Sequence, residues 1–380
     1  MLPQRSVYAD YLSTTPVDKR VLAEMIPYFS EKYGNPSSST HFYGNQALSA
    51  VDNARGQVAR CIGASKREIL FTSGATESIN IALIGVAEHA ESGHIVTCKT
   101  EHEAVLQTCE ILEQKGFLVT YLPVDCNGCI SLSELDQAIQ PKTFIVSLMA
   151  ANNEVGTLHP LSEIGTICRK RGVLFHCDAT QAIGKIGLNV RQCDIDLLSF
   201  SGHKMYAPKG VGALYTRSGK PRIRLKPQTF GGGQERGLRS GTLNVPGIVG
   251  FGAACSLAAN LLESESLKLT DLRTRLWNRI KLAIPKAKLN GSEIDRLPGH
   301  LSFCVPGLDA ARMVQELPDI ALSLGAACSS NSSVPSHVLT AMGQSIYETS
   351  ATLRIGLGRF STKDEVDYIA QRIVNLSNGF

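Results

Sequence analysis

One lysine follows directly on an apolar run and is the first candidate for chemistry. The run from Ile195 to Phe200 predicts a buried strand, and Ser-Gly-His-Lys at 201–204 comes after it. Open α/β sheets bind ligands at the carboxyl ends of their strands. A lysine there can form a Schiff base if its ammonium is partly desolvated and lies near a second cation, such as His203 or Lys209. A lysine after a strand can equally be an ordinary solvated side chain, so Lys204 needs further support.

A second candidate lies where a short apolar run gives way to a helix, at Thr72-Ser-Gly-Ala-Thr-Glu77. Gly74 permits a tight turn, and the free amides and positive dipole end of a helix beginning at Ala75 suit a phosphate group. Thr76 adds a hydroxyl. The same pattern is typical of an ordinary helix start with Glu77 in its first turn, and these residues alone do not separate the two interpretations.

A carboxylate, Asp178, ends a third apolar run, and Gln181 follows three residues later. A buried carboxylate that faces a pyridine nitrogen keeps it protonated and lets the ring withdraw electrons. The alternative is an N-cap of the short turn that follows. A phosphate pocket at 74–76, Asp178 and Lys204 would all lie at strand ends of one sheet. Together they match the phosphate, the ring nitrogen and the aldehyde of pyridoxal phosphate (PLP).

The elements that must position these residues alternate along the chain. Strand-like runs and amphipathic helical stretches follow one another from about residue 60 to 216, which predicts a mostly parallel, doubly wound sheet. Two long helical stretches come next, at about 246–262 and 264–284. Short strands and helices then alternate to the end of the chain, which indicates a smaller α+β domain.

Length and composition set the broad class. The chain has 380 residues, more than one core usually serves, and we predict a large domain at 16–244 and a small domain at 1–15 and 245–380. A hydrophobic fraction of 43% and a charged fraction of 19% are ordinary for a packed protein. A net charge of +4 does not indicate direct nucleic-acid binding.

Segment and cysteine patterns predict the compartment. The first ten residues contain no apolar signal segment. The apolar run from Val245 to Leu262 is interrupted by Pro246 and Asn260, which favours a buried helix over a membrane span. Eleven cysteines, an odd number without a framework, suit a reducing environment. We therefore expect a cytoplasmic protein with no membrane contact.

Six short motifs stand in the order typical of one family. They are Ser-Gly-Ala-Thr-Glu-Ser (73–78), Thr-Glu-His (100–102), Asn-Asn-Glu-Val-Gly (152–156), Asp-Ala-Thr-Gln (178–181), Ser-Gly-His-Lys (201–204) and Arg-Ser-Gly-Thr (239–242). On these motifs the sequence resembles the cysteine desulfurases of the NifS/IscS type, which are fold-type I PLP enzymes of the class V aminotransferase group. The resemblance runs from Asp10 to Arg359. It implies a mostly parallel seven-stranded sheet in the large domain, PLP as cofactor, L-cysteine as substrate and a homodimer.

The resemblance also implies roles around the cofactor ring. Lys204 would be the Schiff-base lysine, Asp178 would pair with the pyridine nitrogen, and Gln181 would pair with the ring hydroxyl. His102 would stack on the ring and assist proton transfers. Spacing alone leaves a second interpretation of His102 open, as the cap of a helix that begins at Glu103.

The remaining implied ligands bind the phosphate and the substrate. The phosphate ligands would be Ala75, Thr76, Ser201, His203 and, from the other subunit of a dimer, Thr242. Asn153 would contact cofactor and substrate, and Arg354 would bind the substrate carboxylate. The residue type agrees, because a guanidinium at a strand suits bidentate recognition of a carboxylate.

Cys328 lies among small polar residues at 324–335, which predict a mobile, exposed loop. The resemblance makes it the sulfur carrier, since a mobile thiolate can attack the substrate sulfur and then move outward. The other cysteines fall mostly in predicted strands and helices. Cys126 and Cys129 have C-x-x-C spacing, but the Asn-Gly between them predicts a turn. No second ligand pair follows, so we predict no metal site.

The expected function is that of a PLP-dependent desulfurase that converts L-cysteine to L-alanine and passes sulfur from Cys328 to an acceptor protein. The sequence departs from the family at Leu12-Ser13, where a small pair is usual, and at Glu103, where a lysine is common. The chain ends at Phe380, whereas housekeeping relatives extend further, and we expect a dedicated pathway such as tRNA thiolation or DNA phosphorothioation. The alternatives are a selenocysteine lyase or cysteine sulfinate desulfinase and, in another class, a non-catalytic sulfur-relay or partner-binding subunit.

Overall fold

The computed structural model describes residues 6–219, 222–324 and 335–377. Its strands are β1 (Val7–Tyr8), β2 (Ile69–Thr72), β3 (His94–Cys98), β4 (Leu118–Leu122), β5 (Thr143–Met149), β6 (Leu174–Asp178), β7 (Leu197–Ser201), β8 (Gly212–Thr216), β9 (Lys288–Leu289), β10 (His300–Cys304), β11 (Ile320–Ala321), β12 (Ser323–Leu324) and β13 (Thr352–Gly356). Its helices are α1 (Lys19–Met25), α2 (Pro27–Ser30), α3 (Phe42–Cys61), α4 (Ala75–Ala90), α5 (Glu103–Gln114), α6 (Leu132–Ala138), α7 (Leu161–Arg171), α8 (Val245–Ala283), α9 (Ala310–Gln315), α10 (His337–Ala341), α11 (Ile346–Ser350) and α12 (Lys363–Ser377).

The larger sheet has seven strands in the order β2-β8-β7-β6-β5-β3-β4. The strands from β7 to β4 pair in parallel, whereas β8 runs antiparallel to both of its neighbours. Strands β3 and β7 are buried throughout, as expected for a sheet covered by helices on both faces. The predicted α/β fold with a mostly parallel seven-stranded sheet is confirmed.

Two hydrophobic cores cover the faces of this sheet. Residues of α3, α7 and the first half of α8 pack together on one side, and residues of α4 and α5 pack on the other. This layering fixes the sheet between helices and leaves only its edges open for a site.

The smaller sheet is antiparallel, with the order β12-β13-β10-β9. A third core joins it to α12 and to the second half of α8. The smaller sheet thus has a core of its own, separate from the two that cover the larger sheet, as expected for a large and a small domain. The division at residues 15 and 244 itself stays a prediction.

Helix α8 differs from the sequence-based expectation of two helices. It runs unbroken from Val245 to Ala283, because no proline or glycine interrupts it after Gly252. Its polar middle, around 259–268, lies mostly outside the cores, while its two ends are buried in different cores. By length and composition α8 could cross a membrane, but 56% of its most apolar window is buried within the protein.

Two glycines bring the loop before α4 onto the sheet. A Cβ on Gly212, the first residue of β8, would lie 2.7 Å from the Cα of Gly74 and 2.7 Å from the carbonyl oxygen of Phe200. No side chain fits at that distance, so only glycine permits this approach. The amino end of α4 is thereby held beside the carboxyl end of β7.

Candidate active site

A cavity of about 670 Å³ opens at the carboxyl edge of the seven-stranded sheet. Its walls include residues at or just after the ends of β5, β6 and β7, the amino end of α4, and Arg354 of β13. The size suits a ligand with the bulk of a cofactor. Nearly all the sequence-predicted ligands of one chain line it: Ala75, Thr76, His102, Asn153, Asp178, Gln181, Ser201, His203, Lys204 and Arg354.

The amino end of α4 forms one wall of the cavity. Gly74 precedes the helix, and no side chain caps it. The first amides of a helix have no partner within the helix and carry its positive dipole end, so an anion is favoured there. A Cβ placed on Gly74 would come within 3.7 Å of Ser201 Oγ, so the glycine keeps the space between the helix start and this hydroxyl open.

His203 adds a neutral ring to the same wall. Its Nδ1 lies 3.2 Å from Thr14 Oγ1. Burial and the neighbouring cations Lys204, Lys209 and Lys185 lower the pKa of His203 to about 4. The hypothesis that His203 is a second cation beside Lys204 is therefore wrong, because a buried imidazole close to ammonium groups stays neutral near pH 7.

Asp178 ends β6 in register with Met149 of β5 and Ser199 of β7. Its Oδ1 accepts hydrogen bonds from the amide and the hydroxyl of Thr180, at 2.9 and 2.5 Å. Its Oδ2 has no hydrogen-bond partner among the described residues, and the buried side chain lines the cavity. The turn-capping interpretation and the ligand interpretation are thus compatible, because one oxygen serves each.

Lys204 reaches the cavity from a short 3-10 turn at the end of β7. Its Nζ donates to the carbonyl oxygens of Leu12 and Ser13, at 2.7 and 2.6 Å. These acceptors are backbone atoms, so the unusual side chains at 12 and 13 do not alter them. Both acceptors are backbone carbonyl dipoles, and they help to position the amine at the edge of the cavity.

Gln181 is held on both sides of its amide. Its Nε2 donates to the carbonyl oxygen of Leu12 at 2.9 Å, and its Oε1 accepts from Lys185 Nζ at 2.6 Å. Burial, followed by the charges of Lys204 and Arg354, lowers the pKa of Lys185 to about 7. Lys185 is the second cation near Lys204, and the sequence reasoning missed it. Its position four residues after Gln181 was the available signal.

Arg354 is buried in β13 and faces the cavity across from the large sheet. Its Nη1 donates to the carbonyl oxygen of Asn153 at 3.2 Å. Its Nη2 donates to Ser13 Oγ at 2.9 Å and to Asp10 Oδ1 at 3.2 Å. Its Nε is buried without a hydrogen-bond partner among the described residues. An unsatisfied guanidinium N–H of this kind is costly, and a carboxylate would satisfy it.

Ser13, one of the residues at which the sequence departs from the family pattern, directly contacts Arg354. Its hydroxyl accepts one of the hydrogen bonds of Arg354 and so helps to orient the guanidinium. The sequence showed the departure but gave no sign of the contact, because the two residues are 341 positions apart.

His102 is both a cap and a cavity residue. It precedes α5, and its Nδ1 accepts a hydrogen bond from the amide of Ala104 at 3.1 Å. When the ring is neutral, its proton is therefore on Nε2. The two interpretations left open by the sequence both hold, since the cap fixes the tautomer and the ring lines the cavity.

Two predicted residues are not placed in this cavity. Thr242 is exposed and does not line the cavity of its own chain, which agrees with a role toward another subunit but does not test it. Cys328 lies outside the described residues. The described residues on either side of its segment are anchored near the cavity. Ser323 pairs with Arg354 in the small sheet, and Ser336 Oγ donates to Glu154 Oε2 at 2.5 Å.

The class of protein follows from the fold and from a family comparison. The family model for class-V aminotransferases matches residues 7–369. The chain therefore belongs to the class-V aminotransferase family, whose desulfurase members are PLP enzymes.

Relatives narrow this to one activity. The cysteine desulfurase IscS of Rickettsia prowazekii is 48% identical over 364 residues, which cover 95% of this chain and 88% of that protein. A cysteine desulfurase of Mus musculus is 48% identical over 373 residues, covering 98% of this chain and 81% of that protein. A solved NifS-like protein is 41% identical with a TM-score of 0.92, covering 99% of this chain and 100% of that one. The chain is a cysteine desulfurase, and the predicted resemblance is confirmed.

We predict that Arg354→Lys mainly weakens substrate binding. Lysine keeps the charge but loses the planar pair of N–H groups, so the KM for L-cysteine should rise about 10- to 100-fold, with a smaller change in kcat. Steady-state kinetics of alanine release measure this. Arg312→Lys, an exposed residue of α9, is the control and should leave both constants unchanged. A lowered kcat with an unchanged KM would show that Arg354 does not bind the carboxylate.

Proposed function

We propose that the cavity binds PLP, that the enzyme removes sulfur from L-cysteine there, and that Cys328 carries the sulfur to an acceptor protein. One observation carries the proposal. An uncapped helix start, a buried carboxylate with a free oxygen and a lysine amine face one cavity of suitable size. These groups match a phosphate, a basic ring nitrogen and an aldehyde, which are features of one molecule.

The donor set fits this cofactor. The amides at the start of α4, with Thr76 and Ser201, would hold the phosphate, and Asp178 Oδ2 would hold the ring nitrogen. When bound, PLP withdraws electrons from the α-carbon of an amino acid, which acidifies its proton and weakens the bond from the β-carbon to sulfur. The neutral ring of His203 would add a hydrogen bond to the phosphate without adding charge.

Arg354 and Asn153 orient the substrate. Arg354 lines the same cavity as the proposed cofactor ligands, and its Nε, which has no hydrogen-bond partner among the described residues, is available to a carboxylate. Because the guanidinium is already fixed by Asp10, Ser13 and the Asn153 carbonyl, little order is lost when the substrate binds. Fixing the carboxylate in this way sets the direction in which the substrate side chain points.

Lys204 and His102 move protons. An amine that can lose its proton is a base for the substrate α-carbon, and Lys204 Nζ lies in the cavity among acceptors that hold it in place. His102 offers a proton from Nε2, because its Nδ1 is engaged by the Ala104 amide. Two such groups allow removal and return of a proton on either side of the reacting carbon.

Cys328 accepts the sulfur. Its thiolate forms an S–S bond with the substrate sulfur while the substrate's C–S bond breaks. The bond electrons remain with the substrate carbon, which gains a proton and leaves as alanine. The enzyme retains a persulfide on Cys328, and a thiol of the acceptor protein removes it by the same exchange chemistry.

We also propose that the enzyme is a homodimer. The first three helices and the loop between α2 and α3 expose large apolar residues close together in sequence, including Phe29, Tyr33 and Phe42, which are 64%, 65% and 70% exposed. Apolar surface of this kind on one part of a molecule marks an interface. A second copy would cover it and would bring the phosphate ligand Thr242 to the neighbouring cavity.

The cofactor prediction concerns Lys204. Borohydride treatment of the holoenzyme should attach the cofactor to the peptide that contains Lys204, and mass spectrometry would identify it. Lys204→Ala should lower alanine release by at least about 100-fold, since it removes the base. Lys170→Ala, an exposed residue of α7, is the control. Label on Lys185 or Lys209, which lie nearby, would contradict the assignment.

The sulfur-carrier prediction separates binding from transfer. Cys328→Ser should take up cofactor normally and still show a spectral change with L-cysteine, but should release about 100-fold less alanine, because a hydroxyl is a poor nucleophile toward sulfur. Cys126→Ser, an exposed cysteine, should behave as wild type. Sustained alanine release by Cys328→Ser, with loss on replacing Cys304 or Cys177, would identify another thiol.

The dimer prediction uses a charge in the apolar surface. Phe42→Glu should shift the mass measured by light scattering from two chains toward one and should weaken cofactor binding as the dimer dissociates. Leu282→Glu is the matched control, because Leu282 is 85% exposed on the far end of α8. A wild-type protein with the mass of one chain and full activity would refute the homodimer.

A further inference from the structure

We propose that Lys185 is a positioning residue, which holds the amide of Gln181 in the one orientation that presents an N–H to a ligand in the active-site cavity. The inference rests on the proposed function, since it names how the chain prepares one contact with the cofactor. Lys185 has no role among those that the family resemblance assigns to the site residues.

The contacts form a continuous chain from Lys185 to Lys204. Lys185 Nζ donates to Gln181 Oε1 at 2.6 Å, and Gln181 Nε2 donates to the Leu12 carbonyl at 2.9 Å. The same carbonyl oxygen accepts from Lys204 Nζ at 2.7 Å. One amide therefore lies between the two lysines and shares an acceptor with the second.

The two hydrogen-bond partners of Gln181 determine where the oxygen and the NH₂ group of its amide lie. A protonated lysine only donates hydrogen bonds, and a backbone carbonyl only accepts them. Turning the amide over would place its NH₂ group against Lys185 and its oxygen against the Leu12 carbonyl. Both contacts would then be repulsive, so the two neighbours together hold one orientation.

This orientation decides what Gln181 can offer. Its NH₂ group has two hydrogens, and the Leu12 carbonyl takes one. Its oxygen is already used by Lys185. The second N–H has no partner among the described residues, and the side chain lines the cavity. Gln181 is thus presented as a donor, which suits an oxygen on the ligand and excludes an N–H of the ligand.

The turn that carries both residues keeps them together. The amides of Ala182 and Ile183 both donate to the carbonyl of Ala179, at 3.0 Å, and the amide of Lys185 donates to the carbonyl of Ala182. Lys185 lines a separate small cavity of about 20 Å³ together with Lys204 and is not among the residues that line the main cavity. It is therefore not placed to replace Gln181 as a ligand there.

A double-mutant cycle tests the proposal through cofactor binding rather than activity. The apoenzyme is titrated with PLP by absorbance for wild type, Lys185→Met, Gln181→Met and the double variant. Lys185→Met should raise the PLP dissociation constant about 10-fold in the wild-type background, the effect of one charge-assisted hydrogen bond. In the Gln181→Met background the same change should have an effect of less than about 2-fold, because Lys185 acts through the amide.

Two further variants complete the design. Lys185→Arg keeps a long donor and should bind PLP within about 3-fold of wild type, which a merely space-filling role would not require. Lys170→Met is the matched control on the surface of α7. Thermal unfolding of each apoenzyme shows which variants fold. If Lys185→Met does not fold, Lys185→Arg is compared in the two Gln181 backgrounds, and any effect that it has on PLP binding with Gln181 present should vanish in the Gln181→Met background.

The outcomes separate the inference from the proposed function. Equal effects of Lys185→Met in both backgrounds, or no effect in wild type, would overturn the positioning role while leaving PLP binding intact. Failure of the wild-type apoenzyme to take up PLP would overturn the proposed function and this inference with it.

Discussion

The segment before the first helix supplies the contact on which the site depends. The carbonyls of Leu12 and Ser13 hold the Lys204 ammonium, and the same segment reaches the small sheet on its other side. There the amide of Gly356 in β13 donates to the Ala9 carbonyl at 2.7 Å. A Cβ on Gly356 would lie 2.8 Å from the Leu12 amide nitrogen. Only a glycine at this position of β13 therefore allows the strand to lie so close to the segment. The placement of the lysine thus depends on a glycine in the other core.

The site concentrates positive charge before any anion binds. Burial, followed by the charges of Lys204 and Arg354, lowers the pKa of Lys185, and burial, followed by the charges of Lys204, Lys209 and Lys185, lowers the pKa of His203. Backbone carbonyls and Asp10 offset part of the repulsion. A ligand with a phosphate and a substrate with a carboxylate relieve the rest. The repulsion between cations in the empty site therefore favours the binding of anionic groups, which reduce it.

The sequence predicted what local patterns determine. Apolar runs followed by Asp178, Ser201 and Lys204 indicated strand ends, and parallel strands end at a common edge, so the handles were expected together. The continuity of α8 was not predicted, because a polar stretch resembles a break when the two cores it joins are unknown. Nor did the pattern reveal that His203 is neutral, since its pKa is lowered first by burial and then by nearby cations, and both the burial and the approach of Lys185 depend on tertiary packing.

The described residues on either side of the segment that carries Cys328 lie beside the proposed carboxylate ligands Arg354 and Asn153. Ser323 is the register partner of Arg354, and Ser336 is bonded to Glu154, the neighbour of Asn153. The cofactor handles belong to the large sheet, whereas Arg354 belongs to the small one. A substrate carboxylate bound by Arg354, with a cofactor bound at the strand ends of the large sheet, would therefore contact both sheets, because their residues line one cavity.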